Sequence, residues 1–139
     1  MSYFTIRRRV VFYETDAMGV VHHSNYFRFF EEARGAWVRE NGLADLLWKT
    51  HKIGFAVIEA YARYAKPAAH NEEIDVRMQV RREGIRYRFQ YNIVRADSGE
   101  SLVTGVTVHV PLSEQLKPCR VPAKFNEIVE ASPWTETWP

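Results

Sequence analysis

Two stretches of strict alternation constrain this 139-residue chain more than anything else in it. Ile74, Val76, Met78 and Val80 alternate with Asp75, Arg77, Gln79 and Arg81, and Ile85, Tyr87, Phe89, Tyr91 and Ile93 alternate with Arg86, Arg88, Gln90 and Asn92. A period of two is the signature of a strand with one face buried, and Gly84 between the stretches marks a turn. Such an antiparallel pair presents an apolar face that needs a cover. The best candidate is Tyr26 to Glu40, where Tyr26, Phe29, Phe30, Ala33 and Trp37 share one face of a helix that Asn41-Gly42 would end.

The remaining segments fit the same plan. Tyr3 to Tyr13 is expected to be a strand with Phe4, Ile6, Val10 and Phe12 on one side and Arg8 as the exception. Leu43 to His51 reads as a shorter helical piece, and Phe55 to Tyr64 as a strand ended by Lys66-Pro67. Leu102 to Val110 makes a last strand with Val106, Val108 and Val110 on one face. The order is strand, long helix, then four strands in meander-like succession. The expected architecture is an α+β roll, one domain over residues 1–139, with the sheet wrapped around the helix. Some of the helix's aromatic residues are left over for a ligand tunnel or a subunit contact. The tail from Leu116 to Pro139 shows no strong periodicity and leaves Trp134 and Trp138 without a role.

Composition narrows the function classes. Hydrophobic residues at 46% and charged residues at 26% are ordinary for a globular chain. A formal net charge of +2 lacks the basic footprint of a dedicated nucleic-acid binder. A single cysteine, Cys119, cannot form an internal disulfide or a cysteine-based zinc cluster. No apolar run approaches 18 residues and the N-terminus lacks a signal peptide's apolar core, so no integral membrane segment is expected and the cytoplasm is the expected location.

The chemistry concentrates in Tyr13 to Arg34, YETDAMGVVHHSNYFRFFEEAR. Asp16 and Gly19 have a plain reading as turn residues. The side chains of His22 and His23, being adjacent, diverge, which argues against a shared metal. Taken together with the helix that follows, the segment offers more. The first N–H groups of a helix have no internal partners and carry partial positive charge, which suits a developing oxyanion. Asp16, one short loop upstream, would attack the same carbonyl carbon or deprotonate water. Thioesters suit this arrangement, because a thiolate leaves without a metal or a Ser-His-Asp triad.

The pattern D-x-x-G-V-V-x-H-x-x-Y followed by E-x-A-R, carried by Asp16, Gly19, Val20, Val21, His23, Tyr26, Glu31, Ala33 and Arg34, resembles the hotdog-fold acyl-CoA thioesterases. The branch it most resembles holds the 4-hydroxybenzoyl-CoA and Tol-Pal-associated thioesterases. The resemblance implies hydrolysis of a fatty acyl- or aryl-CoA without cofactor or metal. It matches Asp16 to the catalytic carboxylate, the His23 backbone N–H to the oxyanion donor, and the His23 side chain to a group that orients substrate or water. Gly19, Val21 and Tyr26 match positions around the substrate, while Tyr26 and a Glu31–Arg34 pair are read as mainly structural. The family's outer-surface nucleotide site makes Arg81, Arg82 and Arg120 the candidates for coenzyme A phosphates, with Lys117 and Lys124 behind them. The family's side-by-side pairing implies a homodimer or homotetramer with sites at the subunit interface, and the alternation in Ile85 to Ile93 leaves little reason to expect an unpaired edge. His22 and Met18 depart from the pattern. A hotdog hydratase or dehydratase and a non-catalytic acyl-thioester binding protein are the alternatives.

Overall fold

The structure is a computed structural model that describes residues 2–138. Five strands form one antiparallel sheet: β1 (Phe4–Arg9), β2 (Gly54–Tyr64), β3 (Glu73–Glu83), β4 (Arg86–Arg95) and β5 (Ser101–Leu112). The long helix α1 (Asn25–Glu40) lies across one face, and α2 (Ala123–Ala131) follows the last strand. This is the α+β hotdog arrangement, with Gly42 at φ +69° closing α1 as the Asn41-Gly42 pair implied.

Strand order is β1-β3-β4-β5-β2. The meander is therefore confined to β3, β4 and β5, and β2 departs from the expected succession by crossing to the far edge, where it pairs with β5. The Ile85 to Ile93 stretch becomes the central strand, with Ile85 itself exposed in the preceding turn, so the edges are β1 and β2. The first strand is shorter than the alternation suggested. After Arg9 the chain leaves the sheet, a 3-10 turn forms at Phe12–Glu14 around a bond from the Val11 N–H to the Glu14 carboxylate, and Phe12 ends 77% exposed.

One row of residues explains how the helix seats. Phe4, Met78, Tyr91, Gly105 and Ala62 are register partners across all five strands. The Phe30 ring stacks on Tyr91 with centroids 4.1 Å apart. It occupies the space a side chain at 105 would need, since a Cβ there would lie 2.5 Å from the ring. Phe29 and Phe30 are fully buried, each a contribution of about 1.5–3 kcal/mol. Most of the helix's aromatic residues are thus core: Tyr26, Phe29, Phe30 and Trp37 are buried and Phe27 is half-buried.

The exceptional Arg8 is half-buried opposite Ile74 and tied on several sides. Its guanidinium lies 4.2 Å from the centre of the Phe29 ring, donates to the Glu14 carboxylate at 2.8 Å and pairs with Glu32 at 3.2 Å. A cation in a dry row is tolerable only with such partners. The C-terminal tail also acquires a role. Helix α2 buries Phe125 and Val129, an i, i+4 pair preceded by Pro122. Trp138 stacks with Tyr3, Trp134 lies under the Arg81 guanidinium at 4.4 Å, and the Thr135 backbone carbonyl accepts from Gln90.

In the last strand Val106 and Val108 share one face, as expected, and it is the face opposite the one that α1 covers. Gly105 meets Phe30, and the polar Thr107 and His109 share its side of β5, while Val106 and Val108 line a shallow surface with Tyr61 and Arg88. A buried polar chain results. Arg34 donates to the Tyr91 hydroxyl at 3.0 Å, Tyr91 and the Thr107 hydroxyl are 2.6 Å apart, and Thr107 meets His109 Nε2 at 2.8 Å. Burial of His109, reinforced by the Arg34 charge, pushes its pKa from 6.5 down to about 4, so the ring is neutral near pH 7.

Two outcomes follow from this packing. Gly105→Ala, which forces the Phe30 ring or the strand to move, is expected to lower stability by about 1–3 kcal/mol in urea unfolding. For His109 the folded state binds fewer protons than the unfolded state between the two pKa values. Stability is therefore full above pH 6.5 and falls by about 3 kcal/mol as pH drops towards 4. Unfolding series from pH 7 to 4 should show a fall smaller by that amount in His109→Phe.

Candidate active site

The segment between the 3-10 turn and α1 is built from hydrogen bonds that its sequence makes necessary. Asp16 N–H donates to the Val20 carbonyl at 2.8 Å, Gly19 N–H returns to the Asp16 carbonyl at 3.0 Å, and Gly19 sits at φ +76°, a conformation that favours glycine. One carboxylate oxygen of Asp16 accepts from the Met18 N–H at 2.8 Å, the short-range bond typical of an aspartate in a turn. That bond fixes the carboxylate while leaving the side chain half-exposed.

Beyond the turn the chain is stitched to its neighbours. Val21 is buried and its N–H donates to the Ala68 carbonyl at 2.9 Å, while the His70 N–H donates to the Gly19 carbonyl at 3.1 Å. The Glu14 carbonyl accepts from both the His22 N–H and the Asn25 side chain, at 2.9 and 2.8 Å. The Glu14 carboxylate is held by Arg8. Glu14 thus joins the core cation to the entrance of α1.

At that entrance the Asn25 and Tyr26 N–H groups turn back to the His22 and His23 carbonyls, at 2.9 and 3.4 Å. Among the described residues the His23 N–H has no hydrogen-bond acceptor. An unpaired donor beside a helix N-terminus is able to hold a developing negative charge. The His23 ring is exposed and, contrary to the divergence expected of adjacent side chains, stacks on His22 at 4.3 Å, with Tyr64 edge-on at 6.2 Å. His22 Nδ1 meets the Ser24 hydroxyl at 2.8 Å, so His22 helps shape the helix entrance and gives His23 an aromatic platform.

Val21, His23 and Tyr26 line a depression of about 190 Å³ with Tyr64, Lys66 and Pro67. Asp16 and Gly19 belong to the same loop but not to its walls. The Tyr26 hydroxyl accepts from the Ala68 N–H at 3.2 Å, and burial raises its pKa, so it stays protonated and structural. Tyr64 and Lys66 were not singled out from the sequence. Counting the strand phase back from Lys66-Pro67 would have put Ala62 and Tyr64 on the helix-facing side.

The cations proposed for phosphate lie elsewhere in the protomer. Arg81 is engaged by Glu83 and Glu136, and Arg82 donates to the Gly84 carbonyl and pairs with Glu130 at 3.7 Å. Both occupy the end of β3 away from Ala68 and Ala69, which hold the loop. Arg120 is exposed just ahead of α2. The expected Glu31–Arg34 pair does not form, because Arg34 turns to Tyr91.

Comparison with known proteins agrees with this fold. A crystal structure of a hypothetical protein from Aquifex aeolicus is 33% identical and superposes with a TM-score of 0.82, covering 91% of this chain and 98% of that one. The DHNA-CoA thioesterase of Staphylococcus aureus is 30% identical with a TM-score of 0.81 over 94% of this chain and 89% of its own. The acyl-CoA thioester hydrolase YbgC of Escherichia coli is 28% identical over 126 residues, 86% of this chain and 92% of that protein. Residues 10–131 match the family described as the Thioesterase-like superfamily, and the chain belongs to it.

Proposed function

We propose that the chain is an acyl-CoA thioesterase, hydrolysing a fatty acyl- or aryl-CoA to the free acid and coenzyme A, and that it belongs with the 4-hydroxybenzoyl-CoA and Tol-Pal-associated branch. The observation that carries this reading is the unpaired His23 N–H at the mouth of α1, on the loop that also holds Asp16. The thioester carbonyl oxygen would accept from that N–H as negative charge develops on it. Asp16 would either add to the carbonyl carbon, giving a mixed anhydride that water then opens, or take a proton from the attacking water. Either route consumes one water and releases the thiolate of coenzyme A, which is protonated by solvent. The His23 ring, braced by His22 and Tyr64, is suited to orienting the acyl group or the water.

Assembly completes the proposal. β2 is an edge strand carrying Val57, Ile58, Tyr61 and Tyr64 largely exposed, an apolar edge that a monomer would leave prone to association. Pairing of β2 with a second copy would bury it and bring a neighbouring protomer to the depression that Tyr64 lines. A homodimer or homotetramer of this kind would also let Arg81, Arg82 or Arg120 of a neighbouring protomer meet the nucleotide phosphates. Arg120 is exposed and, unlike Arg81 and Arg82, has no carboxylate partner among the described residues.

In a thiol-release assay across short, medium, long and aromatic acyl-CoAs, Asp16→Asn is expected to lower kcat at least about a hundredfold with KM and fold retained. His23→Ala keeps the main-chain N–H and should lose less. Near-normal turnover in Asp16→Asn removes that carboxylate from the mechanism, and binding without thiol release in the wild type makes the chain a binding protein. Ile58→Lys with Tyr61→Lys is expected to shift the protein towards monomer in sedimentation velocity and to lower activity with it.

A further inference from the structure

Of the successive N–H groups from His22 to Tyr26, only that of His23 lacks an acceptor among the described residues. His22 donates to the Glu14 carbonyl at 2.9 Å, Ser24 to His22 Nδ1 at 3.3 Å, Asn25 to the His22 carbonyl at 2.9 Å and Tyr26 to the His23 carbonyl at 3.4 Å. A free N–H serves a developing oxyanion best when its direction is held before the charge appears. That direction belongs to the peptide unit. In a planar trans peptide the N–H points opposite to the C=O of the preceding residue, so whatever holds the His22 carbonyl aims the His23 N–H. The group that holds it is the Asn25 N–H.

Asn25 is tied down in turn. Its side-chain amide donates at 2.8 Å to the Glu14 carbonyl, the same oxygen that takes the His22 N–H. A carbonyl oxygen only accepts, so the half of the Asn25 amide that faces it is the NH2 group. Glu14 is a fixed post, 6% exposed, with its carboxylate held by Arg8 and by the Val11 N–H. The result is a closed clamp from Glu14 to His22 to Asn25 and back to Glu14, and the His23 N–H belongs to a peptide inside it. Starting the helix does not explain the amide. Asn25 is the first residue of α1, and its side chain donates to Glu14, whereas a capping side chain accepts from the helix's own N–H groups. Aspartate is equally small and better suited to the positive end of a helix, but once ionised it has no proton to give to Glu14.

We propose that Asn25 is the positioning residue of the oxyanion site: its amide locks the His22–His23 peptide against Glu14, so that the His23 N–H meets the thioester oxygen without reorganising. The proposal rests on the thioesterase reading for the identity of that oxygen. The clamp itself is testable without turnover.

Two readouts on the full chain separate this role from a merely structural one. In NMR relaxation of the free protein, the order parameter of the His23 N–H is expected near the rigid-backbone value of about 0.85 in wild type and to fall towards about 0.6 in Asn25→Ala. Asn25→Asp keeps the size and favours a helix start, so it should loosen His23 in the same way and is the variant to read where alanine disturbs the fold. In the thiol-release assay Asn25→Ala is expected to lower kcat about tenfold to a hundredfold at unchanged KM, because the donor is misaimed and not removed. S-hexyl-CoA, a thioether with no carbonyl oxygen, should inhibit wild type and Asn25→Ala equally. A His23 N–H as rigid in the folded variants as in wild type overturns the clamp. Unchanged kcat in folded Asn25→Ala, with or without a raised KM, overturns the oxyanion role. Weaker inhibition of that variant by S-hexyl-CoA makes the defect a general one of the site and overturns that role too. Absence of hydrolysis of every acyl-CoA overturns the thioesterase reading and the oxyanion's identity with it, while the order parameters still decide the clamp.

Discussion

The contact between the Phe30 ring and the bare backbone of Gly105 sets the distance between the helix and the sheet. Because no Cβ intervenes, the ring lies flat on Tyr91, and that depth brings Phe29 over Arg8 and Arg34 within reach of the Tyr91 hydroxyl. Both polar features of the interior depend on this seating. Arg8 reaches forward through Glu14 to the entrance of α1, and Arg34 reaches inward through Tyr91 and Thr107 to His109. The helix is therefore braced by charge at its start and at its middle, with packing between them.

The division of labour along α1 follows from that bracing. Its N-terminus presents an unpaired N–H on a loop stitched to Ala68 and His70, a rigid setting suited to charge that appears only during reaction. Its C-terminal half borders a cavity of about 500 Å³ walled also by Phe55, Phe89 and Phe125. The unpaired N–H and the cavity are thereby separated along one helix.

Much of this was legible in the sequence wherever the signal was local. The 3.6-residue period from Tyr26 to Trp37 and the alternation in β3 and β4 gave α1 and the centre of the sheet, and the Asp16 to Arg34 motif gave the loop. Strand order was not legible, because the pairing of β2 with β5 depends on contacts far apart in the chain. The valines of β5 do share a face, but which face meets the helix was not legible, because it depends on Gly105 lying under Phe30, with Thr107 and His109 following it in phase. Phe12 was placed in a strand by its spacing, whereas the Glu14 carboxylate bends the backbone one step earlier. Helix α2 was overlooked because two buried residues are a weak periodic signal, even with Pro122 marking its start.

The crossover of β2 has a kinetic side. The hairpins of β3, β4 and β5 join residues close in sequence, whereas β1 pairs Phe4 with Met78 and β2 pairs Gly54 with Leu112. Closing those long loops costs chain entropy before any contact rewards it. The meander is thus the part able to form early, with α1 settling on Gly105 once β5 is in place and the two edge strands closing last. The loop bearing Asp16 hangs between β1 and α1, so it takes its final shape only when the slowest pairings are complete. The cavity walled by Trp37, Phe55, Phe89 and Phe125 is finished no earlier, because Phe55 belongs to β2, so loop and cavity are completed in the same late step.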